Sequence, residues 1–211
     1  PAAHKDMAEN SMIFLTEGDS AAGTITKTRN ADYQAVFALR GKILNVQGKK
    51  KTEIYKNEEL YNMMIALGIE DSTDNLRYGK VVIATDADVD GFHIRILIMT
   101  YFFNFFEDVI NQGRLYILET PLFRVKNKKE NIYCYTEKER DEAVAKLKGA
   151  EITRFKGLGE ISPNEFKAFI GENIKLIPVT YESIAEIRNE MEFYMGDNTP
   201  TRRDFIMENL L

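Results

Sequence analysis

The sequence predicts an α/β fold: a central, mainly parallel sheet flanked by helices over residues 1–120, then a smaller α+β and helical unit over residues 121–211. Three observations predict it. The apolar runs Met12–Thr16 and Val81–Ala84 have the length and β-branched content of buried strands. Helical stretches alternate with strands up to about Glu119, the rhythm of a sheet built from crossovers. Both runs also end in carboxylates, Glu17 after the first and Asp86, Asp88 and Asp90 after the second. Acidic groups are thereby placed at strand carboxyl ends, where open parallel sheets bind ligands.

The elements follow in order. After a polar leader, Met12–Thr16 is a buried strand, and Glu17-Gly-Asp-Ser-Ala-Ala-Gly23 makes a sharp turn of small residues. A helix starting near Ser20 would have that hydroxyl as its N-cap. Ala35–Val46 is extended and interrupted at Gly41, with Lys42 and Asn45 projecting beside the turn. Asn57–Leu67 carries Leu60, Met63, Met64 and Leu67 at helical spacing and is ended by Gly68. Ile94–Ile110 is apolar nearly all round, which predicts one buried helix between layers. Arg114–Glu119 is a strand and Pro121 a break. Leu122–Val125 and Ile132–Tyr135 form a hairpin over the basic turn Lys126–Lys129. Glu137–Leu147 is a helix, and Ile152–Gly159 a strand running into a glycine-bearing turn. Ser162-Pro163 opens a further helix with Glu165 placed for a capping box. Helices over Ser183–Met195 and Thr201–Leu211 are split by Gly196-Asp-Asn-Thr-Pro200.

Composition narrows the class. Hydrophobic residues are 44% and charged residues 29%, as in a soluble globular protein. No apolar run approaches a membrane span, and the N-terminus has neither a signal-peptide core nor a lipidation motif. The first residue is Pro1, as in a piece excised from a longer chain. The lone Cys134 has no internal disulfide partner, which suits a reducing cytoplasm, and reads as a half-buried strand residue. A net charge of −5 taken alone argues weakly against nucleic acid. Its distribution argues the other way, because Arg40–Lys51 carries Arg40, Lys42, Lys49, Lys50 and Lys51 and no acidic residue. A second basic cluster, Arg124, Lys126, Lys128 and Lys129, reads as solvated surface.

The chemistry centres on Lys80–His93, where three aspartates alternate behind a strand and close on Gly91. Three clustered carboxylates repel one another unless a hard divalent cation neutralises them. A calcium loop of the EF-hand type would need a glutamate at its twelfth position, which counted from Asp86 is Leu97. No Cys/His pattern supports zinc, His4 and His93 being the two histidines. Neither a Walker-type loop nor a Gly-x-Gly-x-x-Gly fingerprint is present. If both strands lie centrally in one parallel sheet, Glu17, Asp86, Asp88 and Asp90 converge at its carboxyl edge. That set suits one or two Mg²⁺ ions that keep water and phosphate oxygens as further ligands, hence phosphate chemistry. His93 is a candidate donor to such a phosphate. On these residues alone, a receiver-type signalling domain and a non-catalytic DNA-binding module with a structural acidic cluster stay open.

Five motifs occur in order: Glu17-Gly-Asp-Ser-Ala, Leu39-Arg-Gly-Lys-Ile-Leu-Asn45, Asp86-Ala-Asp-Val-Asp-Gly-Phe-His-Ile94, Pro121-Leu-Phe-Arg-Val125 and Arg154-Phe-Lys-Gly-Leu-Gly-Glu160. Together they resemble the C-terminal half of the B subunit of bacterial type IIA DNA topoisomerases, from about Phe14 onward. The resemblance implies a TOPRIM (Rossmann-like) domain over 1–120 and a B-subunit tail packing on it over 121–211. The wording around Leu76-Arg-Tyr-Gly79 and Glu151-Ile-Thr-Arg154 is closer to the topoisomerase IV branch, with gyrase the alternative. Primases and OLD-like nucleases share the metal motif but not the second and fifth motifs. The resemblance further implies Mg²⁺ as cofactor, with Mn²⁺ or Ca²⁺ as substitutes, and cytoplasmic, nucleoid-associated work on double-stranded DNA. Glu17 would serve as general acid/base at the scissile 3′-oxygen and bind metal with Asp86, while Asp88, supported by Asp90, would serve a second metal. Lys42 and Asn45 would contact DNA, with His93, Arg154 and Lys156 as further backbone contacts. The nucleophilic tyrosine would come from an A subunit in an A2B2 heterotetramer, and ATP would bind a domain absent from this chain. Phe92 stands where the family often has a smaller residue.

Overall fold

The computed structural model of the chain describes residues 9–209. His4 lies outside them, as do the last two residues of the predicted C-terminal helix. In chain order the elements are β1 (Met12–Glu17), α1 (Gly18–Thr28), β2 (Gln34–Leu39), α2 (Lys51–Ile54), α3 (Glu58–Leu67), β3 (Lys80–Ala84), α4 (Val89–Phe105) and α5 (Glu107–Asn111). There follow β4 (Leu115–Glu119), β5 (Phe123–Lys126), β6 (Asn131–Cys134), α6 (Glu137–Lys146), β7 (Glu151–Arg154), α7 (Pro163–Ile170), β8 (Lys175–Pro178), α8 (Ile184–Met195) and α9 (Thr199–Asn209).

A five-stranded sheet runs in the order β2-β1-β3-β4-β8, and its first four strands are mutually parallel. The edge strand β8 pairs antiparallel with β4, so the segment beyond residue 121 completes this sheet. Side chains alternate across it with period two. Ile13, Leu15, Val81 and Ile83 face a core shared with α3 and α4 (Leu60, Met63, Ile98, Tyr101, Phe102). Met12, Phe14, Val82 and Ala84 face the opposite core, with Ala21 and Ile25 of α1 and Phe166 and Phe169 of α7. Two apolar faces on the same strands explain why β1 and β3 read as continuous apolar runs. A second sheet, β6-β5-β7, covers a smaller core of Phe123, Val125, Cys134, Ala143 and Leu147 under α6.

Local expectations fare unevenly. Gly68 ends α3 in the left-handed region at φ 77°, as the spacing predicts, while Asn57, read as its first residue, caps it by accepting from the Leu60 amide. Helix α1 begins at Gly18, with Glu17 as N-cap and no side-chain cap bond; Ser20 lies inside the helix. Strand β2 stops at Leu39, and residues 40–50 form an irregular loop in place of an extended continuation. The predicted Ile94–Ile110 helix starts five residues earlier, at Val89, and breaks at Phe106 (φ −140°, ψ 44°) into α4 and α5. Ser162 does not close a capping box, because its hydroxyl donates to Glu165 Oε2 at 2.6 Å. Cys134 is fully buried, packed beneath the second sheet. Strand β8 and the short α2 carry no strong local signal and arise from pairing and packing alone.

Candidate metal centre

Strands β1 and β3 are neighbours in register, Thr16 opposite Ala84, so their carboxyl ends lie side by side in the middle of the sheet. Glu17 closes β1, and Asp86 follows β3 after Thr85. Here the chain must turn sharply into α4. Asp88 makes the turn by capping the helix, its Oδ1 accepting the Gly91 amide at 2.8 Å. Asp90 lies in the first turn, exposed, in a 2.7 Å ion pair with Lys42 of the loop after β2. That pair brings the second and third sequence motifs together.

The fifth motif joins them through its backbone. After β7, the Leu158 amide donates to Asp86 Oδ1 at 2.8 Å, and the Ala87 amide donates to the Lys156 carbonyl at 2.9 Å. Gly157 permits this clamp because a Cβ there would stand 2.9 Å from Asp86 Oδ2. Gly159 likewise sits where a Cβ would stand 2.7 Å from Ser20 Oγ, against the first motif. Sequence patterns do not single out Gly157 and Leu158 as site residues; the paired glycines in Lys156-Gly-Leu-Gly159 are their one signal.

Electrostatically the centre is under-neutralised. Burial raises the Glu17 pKa, and Asp86, Asp88 and Asp90 raise it further while Lys42 opposes them. Burial also raises the Asp86 pKa, against the Leu158 amide and with Asp88 adding to the rise. Asp90 is lowered by its hydrogen bond and charge contact with Lys42. Glu17 Oε2 is buried without a hydrogen-bond partner, an arrangement that costs free energy unless a cation or donor completes it. Among the described residues no three His, Cys, Asp or Glu side chains enclose a cation by themselves.

The remaining candidates divide. Asn45 has both ends of its amide engaged, Nδ2 donating to the Met195 carbonyl at 2.7 Å and Oδ1 accepting the Gln47 amide at 3.1 Å. It ties the basic loop to the end of α8. His93 is exposed on α4. Lys156 is exposed beside the Asp86 clamp, and Arg154 lies over the Phe123 ring at 5.9 Å. Arg124 of the second basic cluster is an ion-pair residue, 2.6 Å from Glu165.

The Toprim domain family model matches residues 12–120, which hold both carboxylate-bearing strands. The chain belongs to the Toprim family. Residues 147–207 match the carboxyl terminus of the DNA gyrase B subunit. Over 97% of its length the chain is 64% identical to the B subunit of DNA topoisomerase 4 from Borreliella burgdorferi, covering 34% of that protein. It is 41% identical to the B subunit of DNA gyrase from Thermotoga maritima over 96% of this chain and 33% of that protein. The Toprim chain therefore spans about a third of the length of these curated relatives. It also superposes with TM-score 0.84 and 25% identity on the Plasmodium falciparum topoisomerase II DNA-binding, cleavage and re-ligation domain, over 97% of this chain and 30% of that one. These likenesses place it with the B subunits of type II topoisomerases, with higher identity to the topoisomerase 4 protein than to this gyrase protein. No helix among the described residues is long and apolar enough to cross a membrane.

Proposed function

We propose that the chain is the Mg²⁺-dependent DNA cleavage and religation unit of a topoisomerase IV B subunit. In this reading it acts on double-stranded DNA in an A2B2 assembly whose A subunit supplies the nucleophilic tyrosine, and ATP binds a domain outside this chain. The observation that carries the reading is the buried, unpartnered Glu17 Oε2 beside three aspartates at the carboxyl ends of two adjacent strands. That arrangement is unfavourable for a purely structural turn and suited to a cation bridging protein and phosphate.

Glu17 and Asp86 would hold one ion, and Asp88 would join Asp86 at a second, supported by Asp90 with its partner Lys42 at the rim. When bound, Mg²⁺ supplies charge neutralisation for the oxygen that leaves phosphorus. Glu17, whose pKa burial and its acidic neighbours raise, is suited to hold and return a proton at the scissile 3′-oxygen. The backbone clamp from Leu158 fixes the Asp86 carboxylate, so its orientation does not depend on the ion. Lys42, exposed at the rim, and Lys156 beside the clamp would meet the DNA backbone and position it without reading sequence.

The test is reconstitution of the full-length B subunit with its A subunit, followed by relaxation and decatenation assays. Asp86→Ala and Glu17→Ala should each lower DNA cleavage by about a hundredfold or more. Cleavage left intact in either variant sinks the assignment. Introduction of negative supercoils by the reconstituted enzyme would move it from topoisomerase IV to gyrase.

A further inference from the structure

On the β4 side of the carboxylate centre lies a cavity of about 350 Å³, which shares Asp86 and Asp88 with that centre and extends beyond it to Arg95, Glu119 and Tyr135. Helix α4 contributes Phe92 and Arg95 to its wall, three residues apart and thus on one helix face. Thr85 and Asp86 approach from the end of β3, Glu119 from the end of β4, and Tyr135 from beyond β6. Phe92 leaves 57% of its surface exposed, on a helix whose other aromatic residues are largely core.

Arg95 is the unexpected member. Its guanidinium is partly buried, yet its hydrogen bonds are two 3.4 Å approaches from Nε and Nη2 to the single hydroxyl oxygen of Thr85. Among the described residues it has no ion pair. Burial lowers its pKa and no acidic neighbour offsets the fall. A guanidinium presents five donors in a planar fork and is costly to desolvate without an anion to receive them. Asp86, Asp88 and Glu119 share the cavity wall with it, and none of the three forms an ion pair with it.

We propose that this cavity binds one nucleotide unit, with Arg95 holding its phosphate and Phe92 lying against its base or sugar. The two side chains match the two halves of such a ligand: a fork for phosphate oxygens and an aromatic face for a ring. The volume is of the order a single nucleotide requires. The flanking carboxylates repel a phosphate, so occupancy should depend on a divalent cation at the neighbouring centre. The proposal rests on the phosphodiester reading of that centre and adds to it a subsite and two residues that recognise the strand beside the cut.

The experiment follows a short fluorescein-labelled DNA duplex by anisotropy against the chain in Ca²⁺, across a salt series, with thymidine 5′-monophosphate titrated calorimetrically in parallel. The variants are Arg95→Met, which keeps the stem, Arg95→Lys, which keeps the charge, and Phe92→Ala, each checked for folding by circular dichroism. Arg95→Met should weaken duplex binding about tenfold and lower the slope of log K against log salt by about 0.9, the share of one phosphate contact. Arg95→Lys should keep that slope, and Phe92→Ala should weaken binding several-fold without changing it. Arg95-dependent binding of the mononucleotide with unchanged duplex affinity also supports the site, with a free nucleotide as its occupant. If all three variants bind both probes like the parent chain while Lys42→Ala weakens duplex binding, the subsite is overturned and the phosphodiester reading stands. If the parent chain binds duplex without salt dependence and Lys42→Ala changes nothing, both fall together.

Discussion

Replacing Gly91 by alanine should destabilise the fold and disturb the carboxylate centre at once. Gly91 is in the first turn of α4, where alanine is ordinarily the better residue by about 0.5–1 kcal/mol. A Cβ at that position would lie 2.2 Å from the Asp86 carbonyl oxygen and 2.9 Å from its backbone carbon and nitrogen, where ordinary contact begins at 3.4 Å. All three atoms belong to the main chain, so no side-chain rotation relieves the clash. Either the start of α4 swings outward or the turn after β3 moves, and Asp86 and the Asp88 cap move with it. Overpacking of this kind costs about 1–3 kcal/mol, which leaves a net loss of up to about 2.5 kcal/mol after the helix-propensity gain. In a chain of this size each kcal/mol is worth about 2–4 °C, so Tm should fall by up to about 10 °C. Gly23→Ala is the matched control: it lies within α1, and a Cβ there meets nothing within 4 Å. That variant should gain about 0.5–1 kcal/mol and melt higher. Thermal melts followed by circular dichroism, with and without Mg²⁺, decide the matter, and Gly91→Ala should also show a smaller Mg²⁺-induced rise. A Gly91→Ala chain that melts above the parent, as Gly23→Ala should, would refute the close approach of α4 to the Asp86 backbone.

Three further outcomes follow from individual contacts. Glu165 accepts from Arg124, Tyr133 and Ser162, each at 2.6 Å, and although burial alone would raise its carboxyl, these partners bring it down to about 2. Because that lies below its ordinary 4.5, the contribution is fully present above pH 4.5 and is lost as pH falls towards 2. It is on the order of 2 kcal/mol, and Glu165→Gln should flatten the acid limb of urea-denaturation stability between neutral pH and pH of about 3. Gln34 is 3% exposed and bridges β2 to α7, Nε2 donating to the Ile170 carbonyl at 2.6 Å and Oε1 accepting the Asn30 amide at 2.8 Å. Gln34→Leu strands both partners and should cost about 2–3 kcal/mol by urea titration; a neutral result would mean the bridge is replaced by water. In EDTA, Glu17→Gln should melt a few degrees above the parent chain, about 2–4 °C, because it removes a buried charge set against three aspartates. Mg²⁺ should raise the parent Tm more than the variant's, and equal rises would remove Glu17 from the metal centre.

Much of this protein was written in local sequence. The apolar runs of β1 and β3 were legible because both faces of each strand are covered, which leaves no polar alternation to confuse them. The end of α3 was legible because Gly68 acts within one turn of its own chain. The acidic cluster was legible because three aspartates fall within five residues directly behind a strand. Local reading was less complete elsewhere. The helix start at Val89 was missed, and with it the second role of Asp88, whose Oδ1 caps α4. Nor does the sequence around Asn45 say anything about the end of α8, 150 residues away, whose Met195 carbonyl accepts from its amide.

What only the tertiary structure decided is which distant segments share the centre. Strand order puts β1 beside β3, and with it Glu17 beside Asp86, although a helix, a strand and two further helices separate them along the chain. The Leu158 amide holds the Asp86 carboxylate and the Lys156 carbonyl accepts from Ala87, and Gly157 allows the approach because it has no Cβ, a requirement visible only once the neighbours are known. Strand β8 exists because β4 offers it an open edge to pair with. Residue types and spacing determined the chemistry available to this chain, since charge, size and hydrogen-bonding capacity are properties of the residues themselves. Which of those groups meet, and which are used up inside the fold, depended on long-range packing that no local stretch of sequence contains.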